Sequence, residues 1–472
     1  MKTRATLHTV PNVPALAAPW SSLGSGWRAY LVVAVVLAPL CVPGGPRQMA
    51  LLDAVNIVAL LVFAITVVLP GTAVRVPFVG PVLLVAVGSL VAMTNAESVP
   101  QAVLSVAQDA YLFAWFIMIA HLVRDSADLK IMRMAWVASA CGVALVAIVQ
   151  LLLHTGGSVT GFLGSRGLRP SGTLYNPNML ADYLVVSLFV AMSLVRELPR
   201  LARWGVYAVL ALGLVVTKSN GGMVSLAAGL VVWTLVRAAT TRTPFARVAA
   251  LTGVLAGTLL LGAWLHLEWG VGRELMASLQ QHTFAGRMEH SSESRLRIWD
   301  TLERSYARAP LGIGPGNSGA QTLSIGERER PGSLQSKEAH SDYLAFAIER
   351  GPLGVGGLLL ATVVAFATIA RYWKHARRLR GHTRGASAWT SAMAAAMAAS
   401  AVHSAVIEKL HFRHFWLLLA LVCGSALLAE RQATEANERR IARAQRSVHV
   451  GLRLRAAPAR RALLGTSMRV GA

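Results

Sequence analysis

The stretch that decides the fold, MRMAWVASACGVALVAIVQLLL, occupies residues 132–153 and holds one charge, at Arg133. About 20 apolar residues in succession span the hydrocarbon core of a bilayer as an α-helix, because only a helix satisfies its own backbone in lipid. Comparable apolar blocks lie on both sides of this stretch, so we predict about twelve transmembrane helices. The predicted spans are 28–45, 50–70, 77–95, 102–123, 132–153, 178–195, 203–217, 222–238, 247–266, 342–370, 386–407 and 410–429.

The composition of the whole chain agrees with this prediction. Of the 472 residues, 54% are hydrophobic and 14% are charged, whereas a soluble globular protein carries roughly 25% charged residues. The three cysteines, Cys41, Cys141 and Cys423, fall inside predicted spans, and their spacing fits neither a disulfide framework nor a metal site. The predicted fold class is therefore all-α, a polytopic membrane helix bundle, and we expect no metal ion and no other cofactor.

The positive charges predict how the bundle is oriented. The chain has 45 Lys and Arg against 22 Asp and Glu, a net charge of +23. Such an excess occurs in nucleic-acid-binding proteins, but here it gathers in short loops on one side of the predicted bundle, which the positive-inside rule makes cytoplasmic. We therefore predict cytoplasmic termini, contacts with anionic lipid and no nucleic-acid partner. The short basic loops contain Arg196, Arg200 and Arg203; Arg237, Arg242 and Arg247; and Arg371 to Arg384.

This orientation divides the chain into five segments. They are a cytoplasmic N-terminal segment (1–27), spans one to nine (28–266), a large external loop (267–341), spans ten to twelve (342–429) and a basic cytoplasmic tail (430–472).

The large external loop carries signs of structure. Apolar residues at helical spacing predict an amphipathic helix over 293–308, which Pro310 ends. A turn of Gly and Pro follows over 310–317, and a second short helix should run from Ser341 or Asp342 to Glu349, where Gly351-Pro352 breaks it. We therefore expect a structured external subdomain. The apolar residues at helical spacing are Leu296, Trp299, Leu302 and Tyr306.

Several basic residues of the predicted external segments suggest a phosphate-bearing ligand. Arginine binds phosphate oxygens through two parallel hydrogen bonds, and His340 offers a base at the edge of the second short helix. Taken singly, each Arg has an ordinary alternative as a solvated or headgroup-facing charge, and His340 as a helix-capping residue. The basic candidates are Arg166 and Arg169 in the loop 154–177, Lys218 in the turn 217–222, and Arg295 and Arg297 on the first loop helix.

Four stretches resemble the O-antigen ligase and polymerase-like membrane glycosyltransferases. They are GTLYNPNMLA (172–181), with Arg169 before it; SRLRIW (294–299), followed by APLGIGPGN (309–317); AHSDYL (339–344), followed by ERGPLG (349–354); and Glu408 with Phe415-Trp416.

The resemblance implies an activity and the residues that perform it. The family uses a glycan linked to polyprenyl diphosphate and transfers it to an acceptor hydroxyl on the external face of the bacterial inner (plasma) membrane, without a nucleotide sugar or a required metal. Arg169 and Arg295 would hold the diphosphate, and His340 would serve the acceptor as base or orienting group. Asn176, Asn178 and Tyr343 lie in the matching stretches and are substrate-binding candidates, as are Arg166, Lys218 and Arg297.

The chain departs from the family pattern at two positions. The family commonly has Arg after the Ser of the turn that here reads Ser219-Asn220, so Lys218 is the candidate that supplies this charge. The family's His-Asn is His340-Ser341 here, and Ser is a good helix cap.

Other functions stay open at this stage. Ligases, chain-elongating polymerases and protein O-oligosaccharyltransferases share these motifs, and the sequence does not separate them. A transporter or flippase would need ionisable residues within the spans, and the sequence offers few, namely Asp53, Asp109 and His403. A non-enzymatic assembly scaffold is the remaining alternative.

Overall fold

The computed structural model describes residues 24–41, 50–69, 74–153, 169–174, 176–241, 248, 299–300, 302–318, 339–379 and 383–466. Every regular element in these ranges is a helix, which confirms the all-α prediction. The helices are α1 (Gly24–Leu37), α2 (Leu51–Phe63, continued by a π-helical turn over Ala64–Val68), α3 (Val79–Met93), α4 (Val99–Leu122), α5 (Ser126–Leu152), α6 (Pro177–Ser193), α7 (Arg200–Val216), α8 (Asn220–Thr240), α9 (Asp342–Ala376), α10 (Thr383–His403) and α11 (Arg413–Thr466).

The helices identify a membrane protein. Five of those described are long and apolar enough to cross a bilayer, namely α4, α5, α8, α9 and the Arg413–Arg443 part of α11, and α1, α2, α3 and α6 are shorter apolar helices. Each predicted span coincides with one of these helices or with α7 or α10, apart from the ninth, 247–266, which lies outside the described residues. The total of about twelve spans stays a prediction.

Side-chain caps explain where five of the helices begin. In each, the side chain of the capping residue accepts the N–H of a residue two or three positions later. This bond satisfies one of the N–H groups that have no partner in the first turn of a helix. The capping residues are Ser98 for α4, Asp125 for α5, Asn176 for α6, Ser219 for α8 and Ser341 for α9.

Helices α6 and α10 form the centre of the bundle. Nearly every residue of α6 is buried, and so is the Ala- and Met-rich stretch 386–400 of α10. Small residues allow this close approach: a Cβ added at Gly229 of α8 would lie 2.5 Å from the Phe189 ring and 3.0 Å from the carbonyl oxygen of Ala395. A charged residue on α6 therefore lies inside protein rather than against lipid.

Helix α9 is broken where the sequence predicted a break. Gly351 has φ 64° and ψ −164°, and the helix resumes at Pro352. A side chain at Gly351 would collide with the Leu311 carbonyl oxygen, 2.6 Å from the Cβ position. Pro352 has no N–H to offer the Ile348 carbonyl four residues earlier, and that carbonyl accepts the N–H of Ile313 at 2.9 Å instead.

The described part of the large loop packs against the start of α9. Residues 302–308 are helical and the helix ends before Pro310, as predicted. Leu302, Ile313 and Ile348 form a small apolar cluster with neighbouring residues, and the Trp299 indole N–H donates to the Ala339 carbonyl oxygen at 2.9 Å. Leu296 lies outside the described residues, and the external placement of this segment stays a prediction.

The last helix is much longer than its predicted span of 410–429. It runs for 54 residues, from Arg413 to Thr466, through most of the segment predicted as a basic tail. Its first part is buried in the bundle, whereas residues 435–443 are exposed. The cytoplasmic location of this extension is untested.

Candidate functional site

The Asn-Pro-Asn turn at the start of α6 organises the first part of the site. Asn176 caps α6 by accepting the Asn178 N–H at 2.8 Å. The Asn178 side-chain oxygen accepts hydrogen bonds from Arg169 Nη2 at 3.0 Å and from Ser219 Oγ at 2.9 Å. Arg169 Nε also donates to the Thr217 carbonyl oxygen at 2.9 Å. These bonds fix the Arg169 guanidinium between the start of α6 and the turn that precedes α8, and we call this end of the bundle the site end.

Lys218 lies in that same turn and differs from its neighbours in backbone conformation and in exposure. It has φ 52°, in the left-handed region, and its side chain is exposed. Thr217 and Ser219 on either side are buried. The next residue, Asn220, has a buried side-chain oxygen without a hydrogen-bond partner among the described residues. The turn therefore exposes one cation, Lys218, two residues before Asn220, where the chain departs from the family pattern.

His340 lies at the start of α9, also at the site end. Its φ of 53° is left-handed, and its backbone N–H donates to Glu408 Oε1 at 3.1 Å. Trp299 holds the preceding carbonyl and Ser341 caps the following helix. The backbone of His340 is thus held from three directions while its ring is half-buried.

A buried quartet of ionisable residues lies one helical turn deeper than Asn178. Asp182 Oδ1 accepts hydrogen bonds from His403 Nδ1 and Lys409 Nζ, both at 2.8 Å, and Asp182 Oδ2 accepts one from His414 Nε2 at 2.7 Å. All four side chains are at most 2% exposed. Lys409 Nζ donates in addition to Ser400 Oγ at 2.5 Å. Asp182 and Lys409 neutralise one another, as two charges away from water require.

The connection between α10 and α11 (404–412) binds the start of α9. The Asp342 N–H donates to the Ser404 carbonyl oxygen at 2.8 Å, and Asp342 Oδ1 accepts the N–H groups of Lys409 and Leu410 at 2.9 and 3.3 Å. Glu408, which binds the N–H of His340, lies within this connection. The quartet and His340 are therefore joined through one short segment.

The glycine-rich turn 310–317 packs into the break in α9. Gly312 and Gly314 have φ of 105° and 96°, which only glycine adopts readily. The Gly314 N–H donates to the Glu349 carbonyl oxygen at 3.1 Å, and Asn317 Oδ1 accepts the Ser98 N–H at 2.9 Å. The turn thus fastens the loop to α4 and α9.

An apolar cavity of about 270 Å³ opens beside these groups. Most of its wall is aliphatic or aromatic, and Tyr343, Ser400 and Ser404 supply polar edges. The Tyr343 hydroxyl donates to the Ala401 carbonyl oxygen at 2.8 Å. Inside the cavity Arg350 forms an ion pair with Asp109 at 2.5 Å. The helices that form the walls are α3, α4, α9, α10 and α11.

Comparison with known families matches part of the chain that carries these features. The model described as O-antigen ligase matches residues 205–359, about a third of the chain. Residues 205–359 are thus similar to the O-antigen ligase family, and we call them the O-antigen ligase region. The match confirms the resemblance that the motifs suggested, and no curated protein matches the chain. The matched residues include the Lys218 turn, His340 and the break at Gly351, whereas Arg169 and Asp182 precede them.

The structure brings several of the predicted site residues to one end of the bundle. Arg169, Asn176 and Asn178 share one hydrogen-bonded turn with the Lys218 loop. A Cβ at Gly221 would lie 2.8 Å from the Val406 side chain, so this loop packs on the connection that also holds His340. Tyr343 lines the adjacent cavity. Arg166, Arg295 and Arg297 lie outside the described residues, so their position stays a prediction.

Sequence reasoning missed most of the quartet. It named Asp53, Asp109 and His403 as interior ionisable residues, and that list was incomplete because Asp182, Lys409 and His414 are also buried. Asp182 falls within the predicted span 178–195, and an ionisable residue inside a span signals a functional or paired group. Asp53 is itself paired, with Arg413 at the start of α11. Among the described residues, no group of three or more His, Cys, Asp or Glu has the arrangement of a metal site.

Proposed function

We propose that the protein is a membrane glycosyltransferase of surface-polysaccharide assembly. It moves a glycan from a polyprenyl-diphosphate carrier to an acceptor hydroxyl, as a ligase or a polymerase. One observation carries this proposal: the O-antigen ligase region contains the turn of the exposed Lys218, whose Gly221 packs on the α10–α11 connection, and His340, whose backbone N–H binds Glu408 of that same connection.

The basic residues would bind the diphosphate of the donor. Arg169 is held by two directed hydrogen bonds, so its charge is oriented before a ligand arrives. Preorganised cations stabilise developing negative charge better than mobile ones, because they need no reorganisation during the reaction. Arg295 would act beside it, with Arg166, Arg297 and Lys218 as further contacts.

His340 would act on the acceptor. The acceptor oxygen forms a bond to the anomeric carbon while the bond from that carbon to the phosphate oxygen breaks, and the electron pair leaves with polyprenyl diphosphate. The hydroxyl proton passes to a ring nitrogen of His340, which accepts it as a general base. His340 immediately precedes Ser341, the capping residue of α9, near the positive end of the helix dipole.

The apolar cavity supports a lipid-linked donor. It lies next to Tyr343, three residues after His340, and its volume suits a short length of hydrocarbon. The first prenyl units of the carrier would enter it while the diphosphate stays near Arg169 and Lys218. Asn176 and Asn178 would bind the donor through the turn that they order.

The site end would face outward from the bacterial inner membrane, with both termini in the cytoplasm. Short basic loops lie on the opposite side of the bundle, as the positive-inside rule requires. Reporter fusions after Arg247 and after Arg384 should be cytoplasmic, and one near Gly326 should be external. A cytoplasmic signal at Gly326 would exclude this site.

The direct test is transfer by the purified full-length protein in liposomes, with a polyprenyl-diphosphate-linked glycan as donor. Transfer should persist after chelation, because the family resemblance implies no metal. Arg295→Lys keeps the charge but loses the planar fork, so it should impair transfer more than Arg297→Ala does. Full activity of both variants would remove Arg295 from the mechanism, and no transfer by the wild type would overturn the function.

The lipid-linked species that accumulates in a deletion strain separates the two enzyme types. A single repeat unit indicates a polymerase, and a full chain indicates a ligase. Transfer to a protein acceptor in the liposome assay would instead indicate a protein O-oligosaccharyltransferase.

A transporter of a polysaccharide precursor is the second candidate, and the buried quartet is the observation that favours it. Ionisable groups enclosed in a bundle serve as ion or proton relays in transporters. The liposome assay distinguishes the two functions, because a transporter moves the labelled donor across the bilayer without forming a new glycosidic bond.

A further inference from the structure

We propose that Asp182 is a positioning residue for transfer: through Lys409 and two histidines it sets the α10–α11 connection, and thereby the backbone of His340. The proposal rests on the proposed function, because it assigns a purpose to the placement of His340.

The first step is where the partners of Asp182 lie along the chain. His403 is the last residue of α10, Lys409 lies within the connection and His414 is the second residue of α11. One carboxylate on α6 therefore holds both ends and the middle of the connection, with donor–acceptor distances of 2.7 to 2.8 Å.

The second step leads from the connection to His340. Glu408 precedes Lys409 in the chain and accepts the His340 N–H at 3.1 Å. The backbone N–H groups of Lys409 and Leu410 donate to Asp342, two residues after His340. When Lys409 is fixed by Asp182, Glu408 on one side and Asp342 on the other are fixed with it. A residue in the left-handed region, such as His340, keeps that conformation only when its surroundings hold it there.

The third step concerns why charged rather than apolar residues hold the α10–α11 connection. A buried ion pair contributes little to stability compared with apolar residues of the same volume. A network whose members are all hydrogen-bonded does, however, favour one arrangement over near alternatives. Asp182 has both oxygens bonded, and its partners come from α10, the connection and α11. The quartet is thus suited to fixing the connection in one position.

The geometry also separates this role from catalysis. Asp182 is 2% exposed and its two oxygens are taken by three donors, so it does not reach a substrate. Its effect on the reaction should pass only through the connection, in the rate of the chemical step rather than in donor binding.

The test uses the full-length protein in liposomes and compares kcat and KM for a polyprenyl-diphosphate-linked glycan. The double variant Asp182→Leu with Lys409→Met removes both charges together, so that neither is left buried without its countercharge. We expect kcat to fall about tenfold to 100-fold, the range that a misplaced reacting group costs, with KM for the donor nearly unchanged. Asp182→Asn alone should also lose activity, whereas Asp182→Glu, which keeps the carboxylate, should retain part of the wild-type activity.

Two controls make the result specific. Glu197→Gln removes an ion pair to Arg133 beyond the other end of α6 and should leave kcat unchanged. Glu408→Ala should lower kcat by itself, and its combination with the double variant should cost less than the product of the two separate effects, because both act through one path.

Each outcome decides. The positioning role is overturned if the folded double variant has a normal kcat. It is also overturned if the apparent kcat falls only because fewer molecules are active, and the Glu408→Ala effect multiplies in full with that of the double variant. In both cases the wild type still transfers glycan. An inactive wild type would instead overturn the proposed function.

Discussion

Asn178 and Asp182 lie on one face of α6, four residues and about 6 Å apart along the helix axis, but their surroundings differ. Asn178 is half-buried and accepts hydrogen bonds from the part-buried Arg169 and from Ser219. Asp182 is enclosed and holds Lys409 and two histidines. A polar group at the rim can orient a charge toward a ligand, whereas one turn deeper it must be satisfied within the protein. The two lysines repeat the contrast, since Lys218 is exposed and Lys409 is completely buried.

The contrast between the lysines predicts the largest effect on stability. Lys409→Met leaves Asp182 buried without its countercharge, which should lower the free energy of unfolding by about 3–5 kcal/mol. Lys218→Met, at an exposed position, should change it by less than about 0.5 kcal/mol. Thermal denaturation of the two variants in detergent measures the difference. Equal midpoints of thermal denaturation would contradict the distinction between the buried Lys409 and the exposed Lys218.

His340→Ala tests whether the reaction takes place at the site end. Transfer should fall by about 10²-fold or more, as expected for a lost general base, while the protein still inserts and binds the donor. His282→Ala should be nearly silent, because no stretch that resembles the family surrounds His282 in the sequence. A His340→Ala protein that folds and transfers at the normal rate would leave this histidine as a capping residue.

Arg169→Lys tests whether the orientation of the Arg169 guanidinium at the site end matters for transfer. The ammonium keeps the charge but not the two donors that bind the Thr217 carbonyl and Asn178. Loss of one charge-assisted hydrogen bond, about 1.5–3 kcal/mol, predicts a fall in transfer of about tenfold or more. Thermal stability should change little, and an unaltered rate would show that orientation of Arg169 is unimportant.

Lys218→Ala should give the smallest effect, roughly a fivefold loss of transfer, because an exposed charge contributes about 1 kcal/mol. Asn220→Arg, which places the charge where the family commonly has it, should restore part of the activity to Lys218→Ala. Wild-type transfer in Lys218→Ala would mean that this turn has no charge role.

Much of the fold was readable from local pattern. Apolar blocks of bilayer length predicted the helices because burial of the backbone in lipid leaves few other solutions. The break at Gly351-Pro352 and the end of the loop helix before Pro310 were predicted because both depend on residues adjacent in the chain. The motifs predicted Arg169, Asn178 and His340 as site residues; the three lie at one end of the bundle, and their role in the site stays a prediction.

What the sequence by itself determined was the helical membrane fold and the resemblance to O-antigen ligases, since hydropathy, caps and motifs act over a few neighbouring positions. Only the tertiary structure decided that Asp182 would meet Lys409, 227 residues away, and that Ile313 would satisfy the Ile348 carbonyl. The physical reason is that an ionisable residue in a span must find a partner, but its identity depends on which helices pack together. That packing depends on side chains spread over the whole bundle, and no local pattern records it.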